Sequence, residues 1–448
     1  MSGRRGPDDL RRLAERLVEL GRRAGADQVE VGVGEGAEFN VDVRLGRVEN
    51  LVEAGSRVLG LRVIKDKRTA TASSSDLSWP TLARLVRNAV RRAELASRDE
   101  FAGLAPLSAA RVDPATLDLY DPEVRTLDAA AKVRLALETE RIARADKRIT
   151  NSHGASFITN EAWTMLANSN GFRGEYEQTY CGLGVSLQAG GTDDRVEDSW
   201  FSSKRRVREL APPEEIARTA VARTVRLLKP RKVATQRVPV IFEPTQTAWL
   251  LGFLFSCVNG VAVYQRASFL ADKLGQRIGN ERVTVIDDAL LPRGLGSRPF
   301  DSDGLPAGRH VVVENGVLRT FLCNFYAARK LGLPSTGSAD GAGVSPANFF
   351  LQPGTRTPGE IIASTARGLL LVRTLGHGLN GTTGDISRGA FGLWIEGGEI
   401  AYPVSEVTIS GNLGQLLENV EDVGNDLEFY GAIAGPTLKV AEMTVAGA

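Results

Sequence analysis

The sequence predicts an α+β protein, in which two N-terminal helix–sheet–helix units precede a C-terminal domain of curved, barrel-like antiparallel β-sheets. Three observations support this class. Apolar residues recur at helical spacing in several segments. The 48 glycines outnumber the 16 Phe, 7 Tyr and 5 Trp residues, a balance typical of many turns and hairpins. Beyond Arg237 the chain consists of short β-like runs joined by tight turns.

Residues 1–100 are predicted as the first unit. Leucines at positions 10, 13, 17 and 20 indicate a helix, and Gly25 supplies a stop just beyond it. Alternating valines from Val29 to Val33 then open an antiparallel meander. Its further runs are Asn40–Arg44, Arg57–Ile64 and Thr69–Ser73. Ser78 is the predicted N-cap of a second helix, which ends near Ala96.

Residues 101–125 lose this periodicity and contain three spaced prolines, which predicts an extended linker. Residues 126–232 are predicted as a second helix–sheet–helix unit packed with the first. Its helices are Thr126–Ala145 and Pro213–Leu228, and its strands are Ile149–Ser169 and Phe172–Gln188.

Residues 233–448 are predicted as the β-rich C-terminal domain. Asn315-Gly316 lies between two apolar runs and predicts a type I′ hairpin, because both turn residues must accept positive φ. A second hairpin is predicted from Gly392 to Ile409, with Gly397-Gly398 at its tip. The other predicted elements are strands at Val283–Ile286, Leu369–Leu371 and Leu438–Val445 and helices at Ala248–Phe255 and Leu413–Asn419.

Composition and charge exclude several classes of function. With 42% apolar and 24% charged residues, the 448-residue chain has an ordinary globular composition and length for two or three domains. The net charge of +1 lacks the basic excess that binding to a phosphate backbone needs, so we expect no direct nucleic-acid partner. The longest apolar stretch, Ala248–Val258, is too short to cross a bilayer, and the basic start Met1–Pro7 lacks the apolar core of a signal peptide. We expect a cytoplasmic protein without membrane contact.

Common catalytic motifs are missing from the sequence. None of the three histidines, His153, His310 and His377, is followed by Glu, so no zincin helix can be written. There is also no P-loop, no nucleophile elbow and no dinucleotide fingerprint. A self-contained metallopeptidase or nucleotide site is therefore not expected.

Four acidic residues offer a candidate cation site. Asp287-Asp288 follows a predicted strand, and Asp301 and Asp303 come shortly after, so their oxygens suit a hard cation. The alternative is a solvated loop whose acids cap turns. We favour this alternative, because Pro292 and the intervening glycines impose no fixed ligand spacing.

The cysteines offer a candidate nucleophile. Cys181, Cys257 and Cys323 are far apart and form no C-x-x-C pair, which indicates reduced thiols. Cys257 with His377 would make a thiolate–imidazole pair. A buried apolar thiol on the predicted helix is the favoured interpretation, since free cysteine is among the most buried residue types.

A glycine-rich segment from Gly376 to Ala390 differs in kind from the other loops. Its five glycines alternate with small polar residues, giving a backbone that can approach another chain closely. An ordered structural turn is the default interpretation, and a loop facing a peptide or partner is the alternative.

Several segments in order resemble the TldD/PmbA family, and within it the PmbA (TldE) branch, over essentially the whole chain. The segments that carry the resemblance are Gly304–Arg309, Asn315–Leu318, Ala328–Gly332, Ser335–Gly337, Gly378–Asn380, Thr383–Ala390 and Pro403–Leu413. The resemblance implies a cytoplasmic two-subunit peptidase that trims unfolded or modified peptides. In it, the TldD-type chain carries an H-E-x-x-x-H helix and binds the metal. The family was also described as modulating DNA gyrase.

The metal-binding residues do not carry over to this sequence. Gly252, Phe253 and Cys257 stand where the family has histidine, glutamate and the second histidine. The resemblance therefore implies a subunit without a metal or other cofactor of its own, paired with a TldD-type chain that holds the metal. Phe253 and its neighbours are then expected to pack as core.

We expect this chain to be the non-catalytic PmbA-type subunit, with a TldD-type chain or a second copy of itself as partner and a peptide as substrate. The candidate residues lining the substrate chamber or the subunit interface are His377, Asn380, Asp385, Ser387 and Arg388. His377→Ala and Arg388→Ala are expected to weaken activity of the assembly while leaving folding intact. The alternatives are a homodimeric protein-binding modulator, for example of DNA gyrase, and a stand-alone peptidase using Cys257 or a carboxylate-bound metal.

Overall fold

Two connected parts make up the computed structural model, which describes residues 7–192 and 194–447. An N-terminal part is built on a six-stranded antiparallel sheet, and a C-terminal part is built around a small barrel. The basic start considered above, residues 1–6, lies outside the described residues.

The six strands of the N-terminal sheet come equally from the two predicted units. They are β1 (Gln28–Arg44), β2 (Arg47–Lys65), β3 (Arg68–Ser74), β4 (Ile149–Asn168), β5 (Arg173–Ala189) and β6 (Val196–Lys204). Their order is β3-β2-β1-β4-β5-β6, so the two units meet along one continuous ladder between β1 and β4. The sequence did not predict β6, because its polar run lacks an alternating apolar pattern.

Four long helices cover one face of this sheet. They are α1 (Pro7–Arg23), α2 (Trp79–Leu95), α4 (Ala129–Arg144) and α5 (Pro213–Val225), with the one-turn helix α3 (Glu123–Thr126) before α4. Odd-numbered residues of β1 pack against α1 and α2 near Val29–Val33 and against α4 and α5 near Phe39–Val43. Since side chains alternate along a strand, the even-numbered residues of β1 face away from all four helices.

Ser78 precedes α2 as predicted, but its hydroxyl does not cap the helix. The Ser78 Oγ donates to the Asp76 carboxylate at 3.0 Å instead of accepting a backbone N–H of α2. The position of the helix start was thus predictable, while the capping chemistry was not.

Residues 101–125, the predicted linker, pack against the N-terminal sheet. Leu117, in the 3₁₀ turn Pro114–Leu117, and Leu119 are both buried. The Leu119 carbonyl accepts the Thr179 N–H on β5 at 2.9 Å. The proline-containing segment thus crosses the sheet with buried side chains at Leu117 and Leu119.

The C-terminal part contains short helices and many short strands. Its helices are α6 (Pro244–Val258), α7 (Gly260–Tyr264), α8 (Phe325–Leu331), α9 (Pro358–Ala363) and α10 (Leu413–Glu418). Its strands are β7 (Gln236–Phe242), β8 (Val285–Asp288), β9 (Arg309–Glu314), β10 (Val317–Leu318), β11 (Ala339–Asp340), β12 (Gly343–Val344), β13 (Asn348–Leu351), β14 (Arg367–Leu375), β15 (Leu379–Asn380), β16 (Asp385–Glu396), β17 (Glu399–Asn412), β18 (Val420–Val423), β19 (Ile433–Ala434) and β20 (Leu438–Ala446).

Five of these strands close into a barrel, which confirms the predicted fold class. The order is β14-β7-β20-β17-β16, and pairing of β14 with β16 completes the ring. The β7–β14 pair is parallel, so the barrel is not wholly antiparallel as predicted. Closure removes the exposed strand edges that an open sheet of this size would have. The apolar face of α6 shares the core of this part with the barrel residue Trp394.

Both predicted hairpin turns are present. Asn315 and Gly316 have φ of 47° and 80° and join β9 to β10, while Gly397 and Gly398 have φ of 62° and 84° and join β16 to β17. β9 and β10 belong to a second sheet in the order β10-β9-β8-β13-β19. Among the described helices, none combines the length and the apolar content that a membrane span requires.

Candidate functional cleft

A cleft of about 920 Å³ lies between the open face of the N-terminal sheet and the C-terminal part. Its floor is formed by β1, β2, β4 and β5, and its opposite wall by the segments 295–302 and 339–346. The floor and the wall are therefore distant in the chain, since even Gln178 on β5 and Leu295 on the wall are 117 positions apart.

Glycines keep the floor of this cleft open. Gly32 and Gly34 on β1 and Gly60 on β2 are at even positions, on the face opposite the helices. A Cβ atom built on Gly60 would meet no atom within 4 Å, and one built on Gly32 would lie 3.8 Å from Leu166. The glycines thus leave room for a ligand to approach the strand backbone.

A buried ion cluster joins the floor to the C-terminal part. The Arg62 guanidinium donates to Glu30 at 3.0 and 3.1 Å and to Asp303 Oδ1 at 2.9 Å. The other Asp303 oxygen accepts the Phe325 N–H at the start of α8, at 2.9 Å. Burial raises the pKa of Glu30, and the nearby Arg62 cation opposes this shift. We call these residues the Arg62 clasp.

Asp301 organises the wall of the cleft. One of its oxygens accepts the N–H groups of Asp303 and Leu305, both at 3.0 Å, and the other accepts the Ala339 N–H at 2.9 Å. Burial raises the pKa of this carboxyl to about 7. Asp301 therefore fixes the start of the small β11–β12 hairpin that overhangs the cleft.

The four acidic residues singled out in the sequence are all buried, so the prediction of a solvated loop is wrong. They are between 1% and 7% exposed: Asp287, Asp288, Asp301 and Asp303. Asp288 caps its own turn by accepting the Leu290 N–H at 2.8 Å, whereas Asp287 accepts the N–H of Ala347, 60 positions away, also at 2.8 Å. Burial raises the pKa of Asp287 to about 6. The carboxylate oxygens of these aspartates accept backbone N–H groups or pair with arginines. The cluster therefore stabilises the fold, and we assign it no cation.

Two arginines, Arg205 and Arg298, form hydrogen bonds with the wall segments. Arg205 is 4% exposed and donates to Gln178 and Thr179 of β5 and to the carbonyls of Gly294 and Leu295. Burial lowers its pKa to about 10. Arg298 donates to the Ser345 carbonyl at 3.1 Å, while its buried Nε has no hydrogen-bond partner within the described residues. The wall thus presents a cation beside the glycine floor.

Helix α6 does not offer a metal site at the three positions noted in the sequence. Gly252 has no side chain, Phe253 is 4% exposed in the core, and Cys257 is fully buried. Burial raises the pKa of the Cys257 thiol to about 11, which disfavours the thiolate that a metal or a substrate would need. These residues do not fit a metal ion, and Phe253 packs as core as expected. No group of three His, Cys, Asp or Glu side chains in the described part of the chain is arranged to hold one.

The proposed Cys257–His377 pair is not brought together by the structure. Cys257 Sγ has only Ser256 Oγ as a polar neighbour, at 3.9 Å, whereas His377 is exposed on the glycine-rich segment. The favoured interpretation of Cys257 as a buried thiol is therefore confirmed.

The glycine-rich segment is an ordered hairpin. Asn380 on β15 pairs with Asp385 on β16, and Asn412 donates to the Thr383 carbonyl at 2.8 Å and to Asp385 at 3.0 Å. Hydrogen bonds from Thr383 and Asn412 lower the pKa of Asp385. The Ser387 N–H donates to the Gly378 carbonyl at 2.8 Å, which closes the base of the hairpin.

Arg388 connects this hairpin to helix α6. Its guanidinium lies 4.8 Å from the ring centre of Trp249, and its Nε donates to the Leu375 carbonyl at 3.3 Å. None of the five candidate residues on the hairpin lines the 920 Å³ cleft. Sequence reasoning missed the cleft residues, although the alternation of glycines at 32, 34 and 36 was a visible signal.

Three family models together match most of the chain. They are the PmbA/TldA metallopeptidase domain 1 over residues 29–93, the central domain over residues 122–228 and the C-terminal domain over residues 235–447. These matched ranges fall on β1–α2, on α3–α5 with β4–β6, and on the barrel part.

Relatives and solved structures agree with these models. Metalloprotease PmbA of Escherichia coli O157:H7 is 36% identical over 423 residues, which cover 94% of this chain and 93% of the relative. A PmbA homologue of Haemophilus influenzae is 33% identical over 98% of this chain and 96% of its own. A Thermotoga maritima protein, solved as a candidate modulator of a DNA gyrase, superposes with a TM-score of 0.90 at 27% identity, over 98% of this chain and all of its own. TldE of Thermococcus kodakarensis has the same fold, with a TM-score of 0.88 at 22% identity, over 97% of this chain and all of its own.

Proposed function

This chain belongs to the PmbA/TldD metallopeptidase family, and we propose that within it the chain serves as a non-catalytic, PmbA (TldE)-type subunit of a two-chain metalloprotease that trims unfolded or modified peptides. The partner is a TldD-type chain that carries the metal. The observation that carries this proposal is helix α6, where Gly252, Phe253 and Cys257 replace the three residues of the metal motif. Two of these side chains are core residues and the third is absent, so the helix supports packing rather than hydrolysis.

The cleft supports a role in holding the peptide. An extended peptide can form main-chain hydrogen bonds with a strand whose backbone is accessible, and the glycine floor leaves such room on β1 and β2. The Arg298 cation on the opposite wall suits a carbonyl or carboxylate of the same peptide. These contacts involve only the main chain of the peptide, so binding is expected to be independent of the peptide sequence. We propose that this cleft forms part of the chamber in which the partner cleaves.

The stand-alone alternatives have less support. Cys257 is buried with a raised thiol pKa, and the oxygens of the four buried aspartates accept backbone N–H groups or face arginines. A role as modulator of DNA gyrase rests on the name of structural relatives alone.

Peptide hydrolysis tests the subunit role. An unfolded peptide is incubated with the purified chain alone, with a TldD-type partner alone and with both, each with and without a chelator. We expect cleavage that requires the partner, is enhanced by this chain and is abolished by the chelator. Cleavage by this chain alone would contradict the proposal.

Filling the cleft tests the role of its floor. Gly60→Leu places a side chain in the open space above β2, where no atom lies within 4 Å of the new Cβ. We expect peptide turnover by the assembly to fall at least about tenfold, with an unchanged melting temperature. The matched control is Gly359→Leu on α9, which also meets no atom within 4 Å and lies outside the cleft. If Gly60→Leu and Gly359→Leu turn over the peptide equally, the proposed role of the cleft in holding the peptide is contradicted.

A further inference from the structure

Strand β3 forms one edge of the N-terminal sheet, and its outer side has no partner strand within the described residues. It follows β2 through the two-residue turn Asp66-Lys67, whose residues have φ of 49° and 61°. In an antiparallel hairpin of this kind, the residues next to the turn exchange main-chain hydrogen bonds. Every second residue after them points its N–H and C=O away from the partner strand. Since Arg68 is next to the turn, the outward groups belong to Thr69, Thr71 and Ser73.

This edge lacks the protection that free strand edges usually have. Soluble proteins guard such edges with lysine, proline or bulges. β3 contains neither lysine nor proline, and its register with β2 has no shift. In the described part of the chain, one side chain bonds the outward groups: the Arg92 guanidinium on α2 donates to the Thr71 carbonyl. The N–H groups of all three outward residues and the carbonyls of Thr69 and Ser73 are thus available to an added strand.

The edge is continuous with the cleft. Thr71 of β3 lines the cleft beside Gly60 and Arg62 of β2. Because Thr71 pairs with Arg62, the outward residues carry their side chains on the cleft face, where these side chains are exposed. Ala70 and Ala72 pack on the opposite face, against the core beneath α1 and α2. A strand added to β3 therefore places every second side chain over the mouth of the cleft.

We propose that the free edge of β3 is a binding site for an extended peptide, which adds a seventh strand to the six-stranded sheet at the mouth of the cleft. This assignment rests on the proposed function, since it names the place where this subunit holds the peptide that the partner cleaves. Main-chain hydrogen bonds supply the affinity, so the site accepts any segment that can extend and rejects proline at the paired positions. Arg92 occupies one acceptor of the site and competes with the peptide for it.

Two methylated peptides test the use of main-chain hydrogen bonds. A fluorescein-labelled peptide of seven residues, the length of β3, is titrated with the full chain and followed by fluorescence anisotropy. One version carries N-methyl groups on its second, fourth and sixth residues, which leaves one edge of the peptide intact. The control carries the same number of groups on its third, fourth and fifth residues, which interrupts both edges. We expect the first to bind like the unmethylated peptide and the control to bind at least about tenfold more weakly.

Two substitutions in this chain test the edge itself. Thr71→Pro removes an outward N–H without breaking the ladder to β2, so we expect binding of the unmethylated peptide to weaken at least about tenfold at an unchanged melting temperature. Its control, Thr71→Ala, keeps the N–H and is expected to bind normally. Arg92→Ala frees the Thr71 carbonyl and is expected to tighten binding about three- to tenfold. Its control, Arg87→Ala, changes an exposed arginine of the same helix that has no hydrogen bond or ion pair within the described residues, and is expected to leave the affinity unchanged.

Several results would overturn the proposal. They are equal binding of the two methylated peptides, no weakening by Thr71→Pro, equal affinity of Arg92→Ala and Arg87→Ala, and no binding by the natural chain up to about 1 mM. If Thr71→Pro changes the mass of the chain in light scattering and not its affinity for the peptide, the edge belongs to a second copy and the proposal is wrong.

Hydrolysis by this chain with a TldD-type partner is measured in parallel. If the mixture cleaves the peptide while the position of the methyl groups has no effect on binding, the edge site is wrong and the subunit role stands. If the methyl groups act as expected and the mixture does not cleave, the subunit role is wrong and the binding site stands.

Discussion

Asp301 shows at the scale of one residue how a buried carboxylate shapes the cleft wall. Its two oxygens accept three backbone N–H groups, from Asp303, Leu305 and Ala339. Burial nevertheless raises its pKa to about 7, because desolvation of the charged form outweighs these hydrogen bonds. Asp301 therefore holds the cleft wall together through its hydrogen bonds, while ionisation of its buried carboxyl destabilises the fold.

The variant Asp301→Asn tests both properties. An amide cannot replace all three acceptor contacts, so we expect a loss of about 1–3 kcal/mol in the free energy of unfolding. Since the folded pKa lies above the unfolded value of 3.8, the carboxyl stabilises the fold below pH 4, and this contribution is lost as pH rises through about 7. Urea titrations at pH 5, 6, 7 and 8 should show a smaller decline for Asp301→Asn than for the natural sequence. If the stability of both proteins declines equally with pH, a group other than Asp301 causes the pH dependence.

At the residue scale, the sequence predicted that these aspartates accept hydrogen bonds better than it predicted how deeply they are buried. Asp287 and Asp288 were predicted to cap turns, and Asp288 does so, whereas Asp287 accepts the N–H of the distant Ala347. That these carboxylates are buried was not predictable, because the covering residues, such as Ala347, are distant in sequence. The candidate residues from His377 to Arg388 formed an ordered hairpin, and their proposed role at a partner or substrate stays a prediction.

At the scale of elements, the two-residue hairpins show why short-range chemistry is predictable. Asn-Gly and Gly-Gly accept positive φ at both turn positions, as a type I′ turn requires. Thr357 and Glu360, three positions apart before an apolar run, likewise form a capping box at the start of α9. The very short strands, such as β11 and β19, carry too few residues for any periodicity.

The variant Gly316→Ala tests how a turn depends on its surroundings. Gly316 has φ of 80°, and a Cβ there would lie 2.1 Å from the Gly279 carbonyl oxygen. The control Gly46→Ala has a similar φ of 77° in the turn from β1 to β2, with no atom within 4 Å. We expect the control to cost about 1 kcal/mol from the left-handed backbone alone. Gly316→Ala should cost about 1–3 kcal/mol more from the clash. Chemical denaturation measures both, and equal losses would contradict the close approach.

At the scale of the whole molecule, the Arg62 clasp holds the N-terminal sheet against the C-terminal part. Arg62 lies between Glu30 on the neighbouring strand and Asp303, which is 241 positions away along the chain. Tyr326 of α8 adds a second link through its hydroxyl, which donates to Asp99 at 2.5 Å. These contacts set the width of the cleft between the two parts.

The variant Arg62→Met tests the clasp. It leaves two buried carboxylates without their cation, and we expect a loss of about 3–5 kcal/mol in the free energy of unfolding. Adding Glu30→Gln should recover part of this loss, because one of the unpaired charges is removed. The control Arg23→Met breaks an exposed ion pair with Glu19 and should cost less than about 0.5 kcal/mol. If the double variant is no more stable than Arg62→Met, the two residues are not coupled.

The sequence by itself determined the α+β class, the helices α1, α2 and α6, both hairpin turns and the family, because these depend on residues close in the chain or on their order. It also placed Gly252, Phe253 and Cys257 at the positions where the resemblance implies the family's metal motif. Only the tertiary structure decided that β1 pairs with β4, that β14 closes the barrel on β16, and that a glycine floor meets the segment 295–302. These contacts join residues from 14 (Leu375 and Gly389) to about 270 positions apart, and local propensity carries no information about which distant segments bury each other's surface.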